Sequence, residues 1–268
     1  MVKILQTFTS IVGSILMSEI SICIPTYEYR GDGVFYLEKL FDTIANQSFK
    51  DFDIVISDHS KDDVIQEWCR NCDYDFDITY IKNPNGRGSL AANTNCAIEN
   101  AEGKILKLIY QDDIFISTDA LQKIYEVFQN GAKWLIHGFT HTTDGVETHR
   151  DCCPKWTARM LEGDNLLGNP SGTAFLNGTY DGMDEKLNLL IDTELYHRMR
   201  VKHGMPAIID DVLTANREHD NRTSSGGIDY NATISDSSRT WLVNKEEIDH
   251  IYQKHSEFFV TRKYPDEN

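Results

Sequence analysis

Short apolar runs alternate with amphipathic stretches through the first half of this chain. Ile20 to Ile24 is a β-branched run ended by Pro25, and Val34, Leu37, Leu40, Phe41 and Ile44 then recur at helical spacing. Further strands are predicted at Phe52 to Ser57, Ile78 to Ile81, Ile105 to Tyr110 and Trp134 to Phe139. Between them the spacing predicts a short helix around Val64, Ile65 and Trp68, a small-residue helix from Leu90 to Ala101, and another from Ile116 to Phe128. Strands that are apolar throughout, joined by helices, imply a mostly parallel sheet with helices on both faces, a doubly wound, Rossmann-like arrangement. In such sheets ligands bind beyond the carboxyl ends of the strands. Three polar segments sit there: Pro25-Thr26-Tyr27, Asp58-His59-Ser60 and Gln111-Asp112-Asp113.

After about Gly138 the pattern loosens. A strand is expected at Ala207 to Ile209, a helix from Asp192 to Lys202 and a last helix from Glu246 to Arg262; a Ser/Gly/Asn-rich stretch runs from Asn221 to Ser238. No repeat or long linker divides the chain. It reads as a single domain over 18–268, with a ligand-binding half at 18–138 and a second half at 139–268. Residues 1–17 form an N-terminal extension, too short and too polar to span a bilayer, with Met17 as an alternative start.

Composition narrows the partners. The 268 residues carry a formal charge of -16. A surface this acidic is a poor match for nucleic acid, which needs clustered Lys and Arg, and for anionic lipid. The six cysteines complete no zinc-ligand set, and they fit reduced thiols in a cytoplasmic protein; the mildly apolar stretch Val2 to Met17 leaves a short peripheral membrane anchor as the alternative.

The adjacent carboxylates Asp112 and Asp113 close a buried strand. Such a pair repels itself unless a cation stands between it and a ligand, and Mg²⁺ or Mn²⁺ takes one or two carboxylates and fills its remaining positions with phosphate oxygens and water. The competing reading of the pair alone is a solvated turn.

The order of segments adds to this. Ser21 to Tyr27, Leu40 to Phe49 and Asp53 to Ser60 resemble the start of the family 2 glycosyltransferases. Asn83 to Asn95 is similar to that family's glycine-rich segment, and Gln111-Asp112-Asp113 stands where the family carries its aspartate-rich motif. The resemblance covers roughly Ser18 to Asn130 and extends toward His219. It implies a GT-A fold and inverting transfer from a nucleotide-sugar to a hydroxyl of a glycan or other acceptor, in glycan or polysaccharide synthesis. Position by position, it implies that Pro25, Thr26 and Tyr27 line the nucleoside pocket, that Asp58 meets the base, and that Asn85 and Arg87 border the nucleotide. Asp112 falls to the ribose or its phosphate, Asp113 and His219 to a Mn²⁺ or Mg²⁺ ion, and Arg222 to the leaving diphosphate.

Arg87 also fits a structural pair with Asp112. Where the family often has Asp-Asp-Gly-Ser, this chain has Ser57-Asp58-His59-Ser60. Gln111 replaces the first acidic position of the motif. For the general base the resemblance points to Asp192, with Glu194 and Asp184 in reserve; the same Asp192 suits a helix N-cap. A nucleotidyltransferase and a non-catalytic nucleotide-sugar-binding module are the alternative functions.

Overall fold

A computed structural model of the chain describes residues 2–4, 17–28, 31–86, 88–219, 245–261 and 263–264. Strand β1 (Val2–Ile4) is followed by β2 (Ile20–Thr26), α1 (Gly33–Ala45), β3 (Phe52–Asp58), α2 (Val64–Asn71), β4 (Ile78–Lys82) and α3 (Leu90–Glu99). Next come β5 (Ile105–Leu108), β6 (Ile114–Phe115), α4 (Ala120–Gln129), β7 (Trp134–Thr142), β8 (Thr148–Cys152) and β9 (Thr173–Leu176). The chain continues through α5 (Ile191–His203), β10 (Ala207–Arg217), α6 (Lys245–Lys254) and α7 (Ser256–Thr261).

Among the described residues the strands form one sheet in the order β1-β4-β3-β2-β5-β9-β7-β10-β6, with β8 paired to β7. Its spine is parallel: β2 pairs in parallel with β3 and β5, β3 with β4, and β7 with β10. The short strands β9, β6 and β8 run antiparallel to their neighbours. Every residue of β2 is buried, as a central strand covered on both faces requires. One apolar cluster packs α1, α2 and α4 against Ile22, Ile24, Ile54 and Ile56. The other joins Ala91 and Ala97 of α3 to Leu195 and Met199 of α5 and to Ile248, Ile251 and Phe258 of α6 and α7. Helix α3 starts where Ser89 accepts the Ala92 N–H through its hydroxyl (3.1 Å).

Several elements differ from expectation. The fourth predicted strand ends at Leu108 rather than Tyr110, because the Tyr110 N–H turns to Ser171 Oγ (2.9 Å). The next helix begins at Ala120 rather than Ile116, since Ile114 and Phe115 pair with β10. β10 runs on past Ile209 through a register shift to Arg217, and the last predicted helix is two helices.

The seam between β5 and β9 holds a buried lysine. Lys107 is fully buried and donates from Nζ to Leu108 O (3.0 Å) and Ser171 O, with Thr173 O at 3.4 Å beside them. His137 Nδ1 lies 2.9 Å from Gly138 O, which puts the ring proton there and leaves Nε2 to accept from Lys107 (3.0 Å). All six cysteines are free thiols. No helix among the described residues is long and apolar enough to cross a membrane.

Candidate active site

Because β2, β3, β4, β5, β7 and β10 run the same way, the segments after them meet at one edge. Pro25 and Thr26 are buried within β2, and Thr26 Oγ1 donates to Ser57 O (3.2 Å). Tyr27, the next residue, is exposed. Its backbone is held on both sides by one side chain: Tyr27 N–H donates to Gln111 Oε1 (2.5 Å), and Gln111 Nε2 donates to Tyr27 O (2.9 Å). The amide at position 111 therefore clasps two strand ends, a task that a carboxylate, having no donor, cannot perform.

Asp58 is fully buried. Its Oδ1 accepts the Ser60 N–H (2.7 Å), and its Oδ2 accepts from Tyr80 OH (2.6 Å) and Lys82 Nζ (3.3 Å). The carboxylate thus fixes the loop that presents His59 to Asn85 O (2.8 Å). Asn85 itself is exposed, with its N–H on Asn83 Oδ1 (3.0 Å). Arg87 and Arg222 lie outside the described residues.

The two aspartates of the motif face different ways. Asp112 Oδ2 is 2.9 Å from His219 Nε2, and both side chains are only partly covered, at 15% and 12% exposure. The His219 ring stacks on Tyr36 with centroids 4.9 Å apart. Arg217, nearly buried, donates from Nε to Asp112 O (3.2 Å) and lies over the same Tyr36 ring. Asp113 is buried and points inward, where Oδ1 accepts the Arg217 N–H (3.0 Å) and Oδ2 accepts from Asn169 Nδ2 (3.2 Å). Burial and the neighbouring Asp112 charge raise its pKa, against the hydrogen bonds from Ser171, Arg217 and Asn169. Asn169 Oδ1 stays a buried acceptor without a partner among the described residues. Those residues contain no cluster of three or more His, Cys, Asp or Glu fit to hold a metal; the Asp112–His219 pair is the donor set that converges here.

Asp192 sits in the first turn of α5, two residues past the Leu190 cap position. Its Oδ1 accepts the Thr193 N–H (2.8 Å) and its Oδ2 accepts from Asn165 Nδ2 (2.7 Å). Burial lifts the carboxyl to about 6, although both hydrogen bonds oppose that rise. Asn165 Nδ2 also donates to Gly168 O (3.0 Å), one residue before the Asn169 that donates to Asp113 (3.2 Å), so the 165–169 loop ties this carboxyl to the strand end that carries the motif. The two reserve carboxylates are engaged elsewhere. Glu194 is fully buried among Arg198 (2.8 Å), His255 (2.8 Å) and Lys254 (2.9 Å); burial pushes it up, but those partners outweigh it and hold it at about 2. Asp184 meets His250 (2.8 Å) and Lys254 (2.6 Å), which likewise overcome burial and keep its pKa well below the ordinary value.

Arg217, Tyr36, Asn165 and Asn169 were not singled out by sequence reasoning. Arg217 had a visible signal, two positions before His219 at a strand end; the others come close only through the fold. Open depressions of about 460 Å³ lie away from this edge, one of them at the opposite end of the strands beside Trp134 and Ala207.

The family model described as Glycosyl transferase family 2 matches residues 21–176, more than half of the 268-residue chain. A GalNAc(5)-diNAcBac-PP-undecaprenol beta-1,3-glucosyltransferase of Campylobacter jejuni is 30% identical over 167 residues, which is 62% of this chain and 50% of the relative. The chain therefore spans about half the length of that curated relative. Among solved structures, TarS 1-349 of S. aureus in complex with UDP-GlcNAc superposes with a TM-score of 0.60 at 16% identity, over 91% of this chain and 72% of the other. A Pyrobaculum calidifontis mannosyltransferase in complex with GDP-Man and Mn2+ gives 0.54 at 15% identity, over 75% and 57%. These likenesses show the GT-A fold.

Proposed function

The chain belongs to glycosyl transferase family 2, and on that premise we propose that it moves a sugar from a nucleoside diphosphate sugar to an acceptor hydroxyl, with inversion, in glycan synthesis. The family match does not favour the nucleotidyltransferase alternative. The observation that carries the reading is the convergence, at the carboxyl edge of one parallel sheet, of the Asp112–His219 pair and the carboxyl of Asp192 held near 6.

The donor set suits a divalent cation. One carboxylate oxygen and one imidazole nitrogen approach each other at a partly open position, and Mn²⁺ or Mg²⁺ completes so small a set with phosphate oxygens and water. In this reading Asp112 and His219 hold the cation. Asp113, whose two oxygens are turned inward, braces the strand end and the Asn169 turn. That moves to Asp112 the metal-holding role which the resemblance alone gives to Asp113. When bound, the cation neutralises charge on the departing diphosphate.

The chain's own residues do the rest. Arg217 brings a guanidinium to the diphosphate side. Tyr27, pinned by Gln111, walls the nucleoside, and Asn85 borders it from the next loop. Asp192 takes the proton from the acceptor hydroxyl as that oxygen attacks the anomeric carbon from the face opposite the diphosphate. A carboxyl near 6 is ionised at neutral pH yet basic enough for this.

The neighbours carrying UDP-GlcNAc, and GDP-Man with Mn2+, make UDP and GDP the first probes. Either nucleotide should raise the melting temperature more with Mn²⁺ than with a chelator, and Asp112→Asn should erase that difference. Equal stabilisation with and without metal in the wild-type chain would sink the cation assignment.

A further inference from the structure

Helix α5 carries Asp192 but begins without a cap of its own. The cap position is Leu190, whose side chain has nothing to offer the free N–H groups that open any helix. Just ahead of its first turn, a carboxylate from far along the chain gathers the backbone donors of the entering segment. Glu247 of α6 accepts the Asn188 N–H at Oε1 (2.9 Å) and the Leu190 N–H at Oε2 (3.0 Å), while the Leu189 N–H reaches both oxygens (3.3 and 3.1 Å). Three consecutive amides thus converge on one side chain, and all three precede the turn that bears Asp192.

Glu247 does not float into this position. One residue on, Ile248 is buried, as is Ile251 a turn later, in the cluster that also contains Leu190, Ile191 and Leu195. Farther along the same helix, His250 and Lys254 bind Asp184, and Lys254 and, just past the helix, His255 bind Glu194 on α5 itself. Beyond α7, the Tyr264 hydroxyl lies 3.1 Å from His197 Nδ1. The carboxylate is therefore delivered by a packed and ion-paired face, already in place before any substrate arrives.

We propose that Glu247 is a positioning residue for the transfer reaction: by gathering the N–H groups of Asn188, Leu189 and Leu190 it fixes the entry of α5 and hence the aim of Asp192 at the acceptor oxygen. The proposal rests on Asp192 being the base. It gives one side chain of the C-terminal helix pair, Glu247, a part in the reaction through the backbone of the 188–190 segment, touching no substrate; the rest of the pair is packing.

Glutamine at 247 keeps the shape but turns an N–H₂ toward donors that need an acceptor. The assay is release of nucleoside diphosphate from a panel of UDP- and GDP-sugars, normalised to folded protein and run well below the melting temperature. For Glu247→Gln we expect kcat to fall about tenfold or more, from a misaimed base, while KM for the nucleotide-sugar stays within about twofold. Lys254→Met is the control for a loosened C-terminal helix pair, since it weakens the same docking but leaves the three N–H bonds; it should lower the melting temperature and keep kcat. Asp192→Asn is measured alongside. If Asp192→Asn is inactive and Glu247→Gln keeps wild-type kcat, the positioning role is overturned while the base survives. If Lys254→Met loses as much kcat as Glu247→Gln, general loosening explains both and the proposal fails. If Asp192→Asn stays active, the base reading falls and takes this one with it.

Discussion

Replacing Asp192 by asparagine should make the protein more stable at neutral pH and far less active. The carboxyl sits near 6, against an ordinary 3.8, because burial disfavours its charged form. An acid whose folded pKa exceeds its unfolded one holds extra protons in the native state between the two values. The fold therefore loses stability as pH climbs from about 4 to about 6 and keeps that loss above. At about 1.4 kcal/mol per pH unit the ionised group costs about 3 kcal/mol. Asparagine removes that cost but gives up one of two hydrogen bonds, because a single carbonyl oxygen cannot serve both Thr193 N–H and Asn165 Nδ2; that costs about 1 kcal/mol. The net expected gain is about 2 kcal/mol at pH 7.5, shrinking to nothing or reversing below pH 4. Urea denaturation at both pH values reads the stability. Turnover at pH 7.5 should drop by about 10²-fold or more, and the wild-type kcat should fall off below about pH 6 as the base protonates. A variant that is less stable at pH 7.5 and still active would refute the reasoning, since that is the signature of a carboxylate kept for structure.

Two further substitutions test the rest of the edge. Asp58→Asn should destabilise the fold by about 1–3 kcal/mol in urea denaturation, because the amide keeps one acceptor oxygen where Ser60 N–H, Tyr80 OH and Lys82 use two; an unchanged midpoint with lost nucleoside affinity would instead support the role of Asp58 at the base. Arg217→Gln should weaken nucleoside diphosphate binding by about 1.5–3 kcal/mol by titration calorimetry and leave the bare nucleoside unaffected, whereas equal losses for both ligands would mean that Arg217 only shapes the fold.

The parallel spine was legible because its strands are buried on both faces and therefore read as unbroken apolar runs, as in Ile54-Val55-Ile56. The antiparallel insertions were not. β8 is mostly exposed and polar, and β6 and β9 are two and four residues long, too short for any periodicity. At the site, the sequence marked Asp112, Asp113, His219 and Asp192 as the residues to watch. It could not say which aspartate faces His219, since adjacent positions at a strand end are equivalent until the chain turns. Nor could it reveal that Glu194 is consumed by Arg198, Lys254 and His255, because two of those partners lie some sixty residues away.

The strand order has an evolutionary edge to it. β9 is threaded between β5 and β7, and β6 reaches across to β10, so the segments before and after residue 138 are interleaved like the teeth of two combs. Lys107 locks the crossing with a buried amino group shared between β5 and the start of β9. A recombination event that exchanged the second half for that of a relative would have to rebuild the centre of the sheet, not an interface at its margin. The topology therefore resists exchange of the second half as a module, whereas substitutions and insertions in the loops at the sheet edge leave it intact.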